Sequence, residues 1–367
     1  MAETPEEPDR EGDAPHPCET SRLYGQGAAE ARFLAAWSGG RLHHAWLLRG
    51  PRGIGKATLA YRIARARLAT PDGAPPPDTL DAAEDCPIRR RILAGAEPRL
   101  KVLRRSADPK TGRVRAEIGV DEVREVKRFL SLRSADGGWR AVIVDAADEM
   151  TRAAANALLK VLEEPPARTV LLLVAHAPGR LLPTIRSRCR GLDLAPLGPE
   201  PLSRALADLG ATPAPGEAGT LAALAGGSVG RALLLSRNDG AALYLRLAGL
   251  FDPERGLDRP ALVALAEETA GRGAGDRLTL TADLTALLLA RLARAAVTGG
   301  LSDPVDPAEA RLASDLAPAA APRLAEALSR IATRTAAARA VNLDAAQTIL
   351  DTFLDLEAVL AGARAGR

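Results

Sequence analysis

The sequence predicts an α/β core built on a parallel sheet, followed by a remainder that is wholly helical. Three observations carry this expectation. Short apolar runs alternate with helical stretches from Leu23 to about Leu197, the pattern of strands covered by helices. A glycine-rich segment, GPRGIGKAT from Gly50 to Thr58, sits between the first apolar run and a helix. Beyond Pro199 no strand signal returns. The Ala- and Leu-rich chain is broken there only at Gly210–Gly216, Phe251–Pro260 and Gly299–Pro307.

Taken in order, residues 1–20 hold seven acids against one arginine and few large apolar groups, so a disordered tail is expected. Strands are expected at Ala45–Leu48, Leu100–Leu103, Ala141–Val144 and Val170–Ala175, with a weaker one at Gly191–Leu194. The first helix should cover about Thr58–Leu68. The Pro- and Asp-rich TPDGAPPPDTLDAAEDCP after it reads as loop. A helix over Thr151–Glu164 should stop at Pro165–Pro166, which disfavour helical backbone before them. In Asn342–Leu360 a stripe of Leu343, Ala346, Ile349, Phe353, Leu356 and Leu360 at three- and four-residue spacing predicts an amphipathic helix packed on its neighbours. The expected organisation is a tail (1–20), an α/β domain (21–197), a helical lid (198–257) and a C-terminal helical domain (258–367).

Composition excludes several classes. The 367 residues are 47% hydrophobic and 26% charged, ordinary for a globular chain, while aromatics are only 3%, so the cores must rest on Ala, Leu and Val. The net charge of +3 conceals an acidic tail and a remainder near +9, a balance suited to working beside polyanions. Three well-separated cysteines, Cys18, Cys86 and Cys189, cannot form a disulfide framework and point to a reducing cytoplasm. The N-terminus has no apolar core for a signal peptide, and no apolar run reaches the roughly 20 residues of a membrane span.

Strand, glycine loop, lysine and helix in that order constitute a P-loop. Gly50, Gly53 and Gly55 let backbone N–H groups approach a triphosphate, and the helix N-terminus adds partial positive charge. Lys56 would reach the β- and γ-phosphates. The next position should carry a hydroxyl for Mg²⁺, but it is Ala57; Thr58 lies about 100° further round the helix. In VIVDAADEM, Val142 to Met150, Asp145 at the strand end suits a water-mediated contact with Mg²⁺. The following position, normally a glutamate that activates water, is Ala146. Asp148 and Glu149 read as surface charge. What remains is compatible with weak ATP or ADP binding and not with hydrolysis, so no cofactor is required.

ANALLKVLEEPP followed by IRSRC, together with the GPRGIGK loop and the earlier LYGQ…GRLHHAWLLRGP, resembles the AAA+ clamp-loader family of bacterial DNA polymerase III. Within that family the likeness is greatest to the delta-prime branch, because of Ala57 and Ala146. It covers about residues 21–197; the rest fits the family's lid and collar domains in length and order. The resemblance implies a Ser-Arg-Cys motif at Ser187, Arg188 and Cys189, with Arg188 reaching the γ-phosphate of ATP on a neighbouring motor subunit as an arginine finger. It also implies motor subunits and a delta subunit as partners in a hetero-oligomeric ring. That ring would act on the sliding clamp and primed DNA in the replisome, at the nucleoid. Cys189 by itself reads as a small buried apolar residue and not a reactive one. The family's four-cysteine zinc module has only Cys86 to stand for it here, so no structural zinc is expected. Its Gly-Ser-x-Arg lid signature is displaced, GGSVGRAL placing Gly230 where the arginine belongs and Arg231 one further on.

Two other readings stay open. An active motor ATPase would take Mg²⁺ through Thr58 and use Asp148 or Glu149 as base. A DNA-binding module on a degenerate ATPase scaffold would use Arg89, Arg90, Arg91, Arg99, Lys101, Arg104, Arg105, Lys110, Arg113 and Arg115, whose charge suffices for phosphate contacts. His43, His44 and His176 show no metal-ligand spacing, and no membrane partner is expected.

Overall fold

A computed structural model of the chain describes residues 10, 14–20, 22–40, 42–81, 83, 85–107, 114–131, 137–213, 216–252, 254–271, 273–301, 303–341 and 343–364. They divide into two compact units. The first extends to Pro213 and takes in Ala225–Leu234; the second comprises Ala214–Leu224 and Leu235–Arg367.

In the first unit the elements run α1 (Gly27–Ser38), β1 (Ala45–Arg49), α2 (Lys56–Ala69), α3 (Pro87–Leu93), β2 (Leu100–Arg104), α4 (Val120–Ser131), β3 (Arg140–Asp145), α5 (Arg152–Glu163), β4 (Thr169–Ala175), α6 (Pro183–Arg188), β5 (Arg190–Asp193) and α7 (Pro199–Asp208). All five strands pair in parallel in the order β2-β3-β4-β1-β5. Every residue of β4, TVLLLVA, is buried, as a central strand covered by helices on both faces must be. At the edge, β5 keeps only Leu192 buried, which explains its faint sequence signal. On one face Leu47, Val142, Val144, Leu171 and Leu173 pack with Val123 and Val126 of α4 and Leu158 and Leu162 of α5. Thr151 caps α5 by accepting the Ala154 N–H at 3.2 Å, and the helix ends just before Pro165–Pro166 as expected.

The expectation of a disordered tail over 1–20 is corrected for 14–20; 1–9 and 11–13 lie outside the described residues. His16 is only 4% exposed and meets Tyr61 edge-on, its backbone N–H bonds Glu19, and Arg65 donates to the Thr20 carbonyl at 3.1 Å. One aromatic ring and one buried arginine suffice to anchor a segment whose composition reads as unstructured.

The second unit and the strip joining it hold α8 (Glu217–Ala225), α9 (Val229–Arg237), α10 (Gly240–Gly249), β6 (Phe251–Asp252), β7 (Gly256–Leu257), α11 (Arg259–Thr269), α12 (Ala274–Thr298), α13 (Pro307–Ser314), α14 (Ala320–Ala340) and α15 (Ala345–Arg364). The β6–β7 hairpin corrects the expectation that no strand follows Pro199; two residues per strand are too few to alternate visibly. In α15, Ile349, Phe353, Leu356 and Leu360 are buried as the stripe requires. Leu343 lies outside it and is exposed, because Asp344 caps the helix through the Gln347 N–H at 2.7 Å. Among the described residues no helix is long and apolar enough to cross a membrane.

Candidate functional site

The P-loop emerges from the C-terminal end of β1, beside the point where the strand order reverses, the usual ligand position in such sheets. Gly50 has φ +145°, and a Cβ there would stand 2.6 Å from the Leu194 carbonyl oxygen and 2.7 Å from Ile54 Cδ1. Gly55 has φ +97° and leads into α2 with no side chain capping the helix. The N-terminus of α2 is therefore left open to an anion.

A cavity of about 460 Å³ opens over this loop, within the size range of ligand pockets. Gly53, Gly55, Lys56, Ala57, Thr58, Asp145 and Ala146 all line it, as do Arg52, Glu149, His176 and Gly230. Five of the expected nucleotide-site residues thus meet in one place, and Gly50 shapes the turn behind them. The Lys56 side chain is buried and its ammonium donates to the Pro51 carbonyl. Gly230 opens α9 at the rim, where the Val229 N–H bonds the Gly53 carbonyl at 3.2 Å. The position that would hold a nucleotide-sensing arginine carries no side chain. Arg10, Pro15, Pro17, Thr20, Leu23 and Tyr24 wall the other side, so the N-terminal segment borders the cavity.

The reading of Asp148 and Glu149 as surface charge is overturned. Asp148 is 9% exposed, and its two oxygens accept the backbone N–H groups of His176 and Ala177 at 3.0 and 2.7 Å. It ties the 3₁₀ turn after β3 to the loop after β4. Glu149 is held by Arg52 and by Arg105 Nε at 3.0 Å. His176, for which no role was expected, lies in the cavity; burial and then the charges of Lys56 and Arg52 push its pKa down to about 3. These partners were hidden because β3 and β4 are neighbours in space and not in sequence. An acid in a short turn beside paired strands was the only signal.

Ser187, Arg188 and Cys189 lie away from this cavity, at the end of α6. Arg188 is partly exposed; it donates to the Thr184 carbonyl at 3.1 Å and pairs with Glu163 Oε1 at 2.8 Å. Ser187 Oγ bonds the same carbonyl at 3.1 Å. Cys189 packs against the sheet core, and burial pushes its thiol up to about 12, so it is an unreactive filler.

The basic set is mostly spent on carboxylates. Arg91 and Arg99 share buried Glu97, Lys101 pairs with Glu125 at 2.7 Å, Arg105 with Glu149 and Arg115 with Glu122. Lys110 and Arg113 lie outside the described residues. His43 and His44 stack on one another, and each ring contacts a backbone carbonyl, Ala45 or Leu162. Cys86 precedes α3, and among the described residues no three His, Cys, Asp or Glu side chains cluster as metal ligands would.

Residues 25–198 match the family described as DNA polymerase III, delta subunit. The delta-prime subunit of DNA polymerase III from Pseudomonas aeruginosa is 42% identical over 159 residues, 42% of this chain and 45% of that protein. The Escherichia coli delta-prime subunit is 37% identical over 210 residues, 57% of this chain and 59% of its own length. A gamma/tau subunit from Mycobacterium bovis is 31% identical over 191 residues, 52% of this chain and 31% of that protein. The chain thus spans about half the length of the curated delta-prime relatives it matches.

Proposed function

From the similarity of residues 25–198 to delta-prime subunits of DNA polymerase III, we propose that this chain is the stationary, non-hydrolysing member of a clamp loader. In this reading it joins motor subunits and a delta subunit in a ring that places the sliding clamp on primed DNA. Its own chemical contribution is Arg188, lent to ATP held by a neighbour.

One observation carries the proposal: the cavity keeps a phosphate cradle and Lys56 but presents two methyl groups where hydrolysis needs polar atoms. Ala57 removes the hydroxyl that would ligate Mg²⁺, and Ala146 removes the base. The metal does not fit the residues present, since Asp145 alone of the usual pair remains. Neither fallback base of the motor reading is free, Asp148 being committed to two backbone N–H groups and Glu149 to two arginines. The DNA-module reading loses support for a like reason, because five of its eight described cations already pair with carboxylates. Arg188, by contrast, stands at a helix end with its guanidinium partly in solvent, and a surface pair with Glu163 costs little to exchange for a polyphosphate.

The test is reconstitution. Arg188→Ala should leave ring assembly intact and cut the ATPase rate at the neighbouring site by about 10³-fold or more, the size of effect expected of an arginine finger. The purified chain alone should show no turnover with Mg²⁺-ATP. An undiminished rate in the Arg188→Ala ring would remove the finger from the account.

A further inference from the structure

The loop between α2 and β2, where the zinc module is missing, helps build a second cavity of about 530 Å³, lined by Thr70, Asp72 and Pro87 together with Arg67, Arg91, Arg99, Trp139 and Arg168. Its charge is lopsided. Four guanidinium groups face two carboxylates, and both carboxylates are saturated. Asp72 receives Trp139 Nε1 on one oxygen at 3.2 Å and Arg168 on the other at 2.7 Å. Glu97, almost wholly buried, receives Arg91 Nε at 2.8 Å and Arg99 Nε at 3.0 Å.

Among the described residues, Arg91 and Arg99 therefore use only Nε on an acid, leaving the terminal amino groups of both uncommitted. Arg67 is only 4% exposed, with its guanidinium 4.0 Å over the Trp139 ring and 5.1 Å from Trp37. Its terminal nitrogen donates to the Thr70 carbonyl at 3.1 Å, yet its Nε has no partner. A buried cation in contact with two indoles is held in place before any ligand arrives, and Arg168 is held as well by its bond to the Gly137 carbonyl at 2.5 Å.

We propose that this cavity binds a phosphate group, the terminal phosphate of a diphosphate or of a nucleic-acid end, through Arg91, Arg99 and the Arg67–Trp139 platform. A carboxylate would leave positive charge over, whereas a phosphate dianion matches the excess of two cations. Its oxygens also suit the planar forks of two arginines. The site stands apart from the P-loop and from Arg188, and does not depend on either reading.

Trp37 and Trp139 flank Arg67, so intrinsic tryptophan fluorescence of the full chain reports occupancy. The chain carrying Lys56→Ala, which disables the P-loop, should give a saturable change on titration with pyrophosphate. Adding Arg99→Gln should raise the Kd at least tenfold. Arg91→Gln, a change at a position more exposed than Arg99, should raise it several-fold if the double variant fails to fold. A 5′-phosphorylated oligonucleotide that competes with pyrophosphate while its 5′-hydroxyl twin does not would identify a nucleic-acid end as the source; competition by neither leaves the free anion. No saturable change, or a Kd indifferent to both substitutions, overturns the proposal.

Discussion

His176 shows how one side chain reports the state of its surroundings. Its backbone N–H is fixed by Asp148, and its ring lies near Lys56, Arg52 and Arg105. Burial and those cations hold it neutral, with a folded pKa of about 3 against roughly 6.5 unfolded. Between those values the unfolded chain binds more protons than the folded one, so this group makes stability rise with pH and fall on acidification from 6.5 downward. Over pH 6.5 to 5, where ordinary carboxylates stay ionised, the linkage amounts to about 1.6 kcal/mol. Chemical unfolding of the parent and of His176→Asn at both pH values should show that the parent loses about that much more stability. Equal losses would mean the ring is protonated in the fold. None of this was legible in the sequence, which offers a lone histidine after an apolar run; the cations that set its charge come from the P-loop, the first residue of α2 and the residue just past β2.

At the scale of elements, what was legible is what depends on local pattern. All five strands of the sheet were found within a residue or two, because burial on both faces makes β1, β3 and β4 continuous apolar runs. The P-loop was legible because its glycines answer to backbone geometry. Gly50 makes this testable: its φ of +145° and the 2.6 Å approach to the Leu194 carbonyl tie the turn after β1 to the end of the sheet. Gly50→Ala should destabilise the chain by about 2–4 kcal/mol, since it combines backbone strain with a clash against main chain. Gly179→Ala, with nothing within 4 Å of the added methyl and no positive φ, should stay within about 0.5 kcal/mol in the same unfolding experiment. The elements that escaped, the 14–20 segment and the β6–β7 hairpin, are held by contacts distant in sequence or too short to have a period.

For the whole molecule, the division into two units means that stability need not be one number. The second unit contains a buried polar group that local pattern does not announce. Glu309 is fully buried, and accepts from Arg291 Nε at 2.5 Å, Tyr244 Oη at 2.7 Å and the Val305 N–H at 2.9 Å. These bonds outweigh burial and hold its carboxyl below the usual range, while burial and the same carboxylate push the Tyr244 hydroxyl upward. The group joins α10, α12 and α13, so the helices of this unit are pinned by an ion as well as by leucines. Glu309→Ala strands a half-buried guanidinium, a phenol and an amide at once and should cost about 3–5 kcal/mol. Tyr244→Phe removes one partner and leaves the ion pair, costing about 1 kcal/mol. Native-state amide exchange separates the units: protection should fall across α10, α12 and α13 in Glu309→Ala while β1, β3 and β4 exchange as before. Equal loss of protection in the central strands would show that the two units open together.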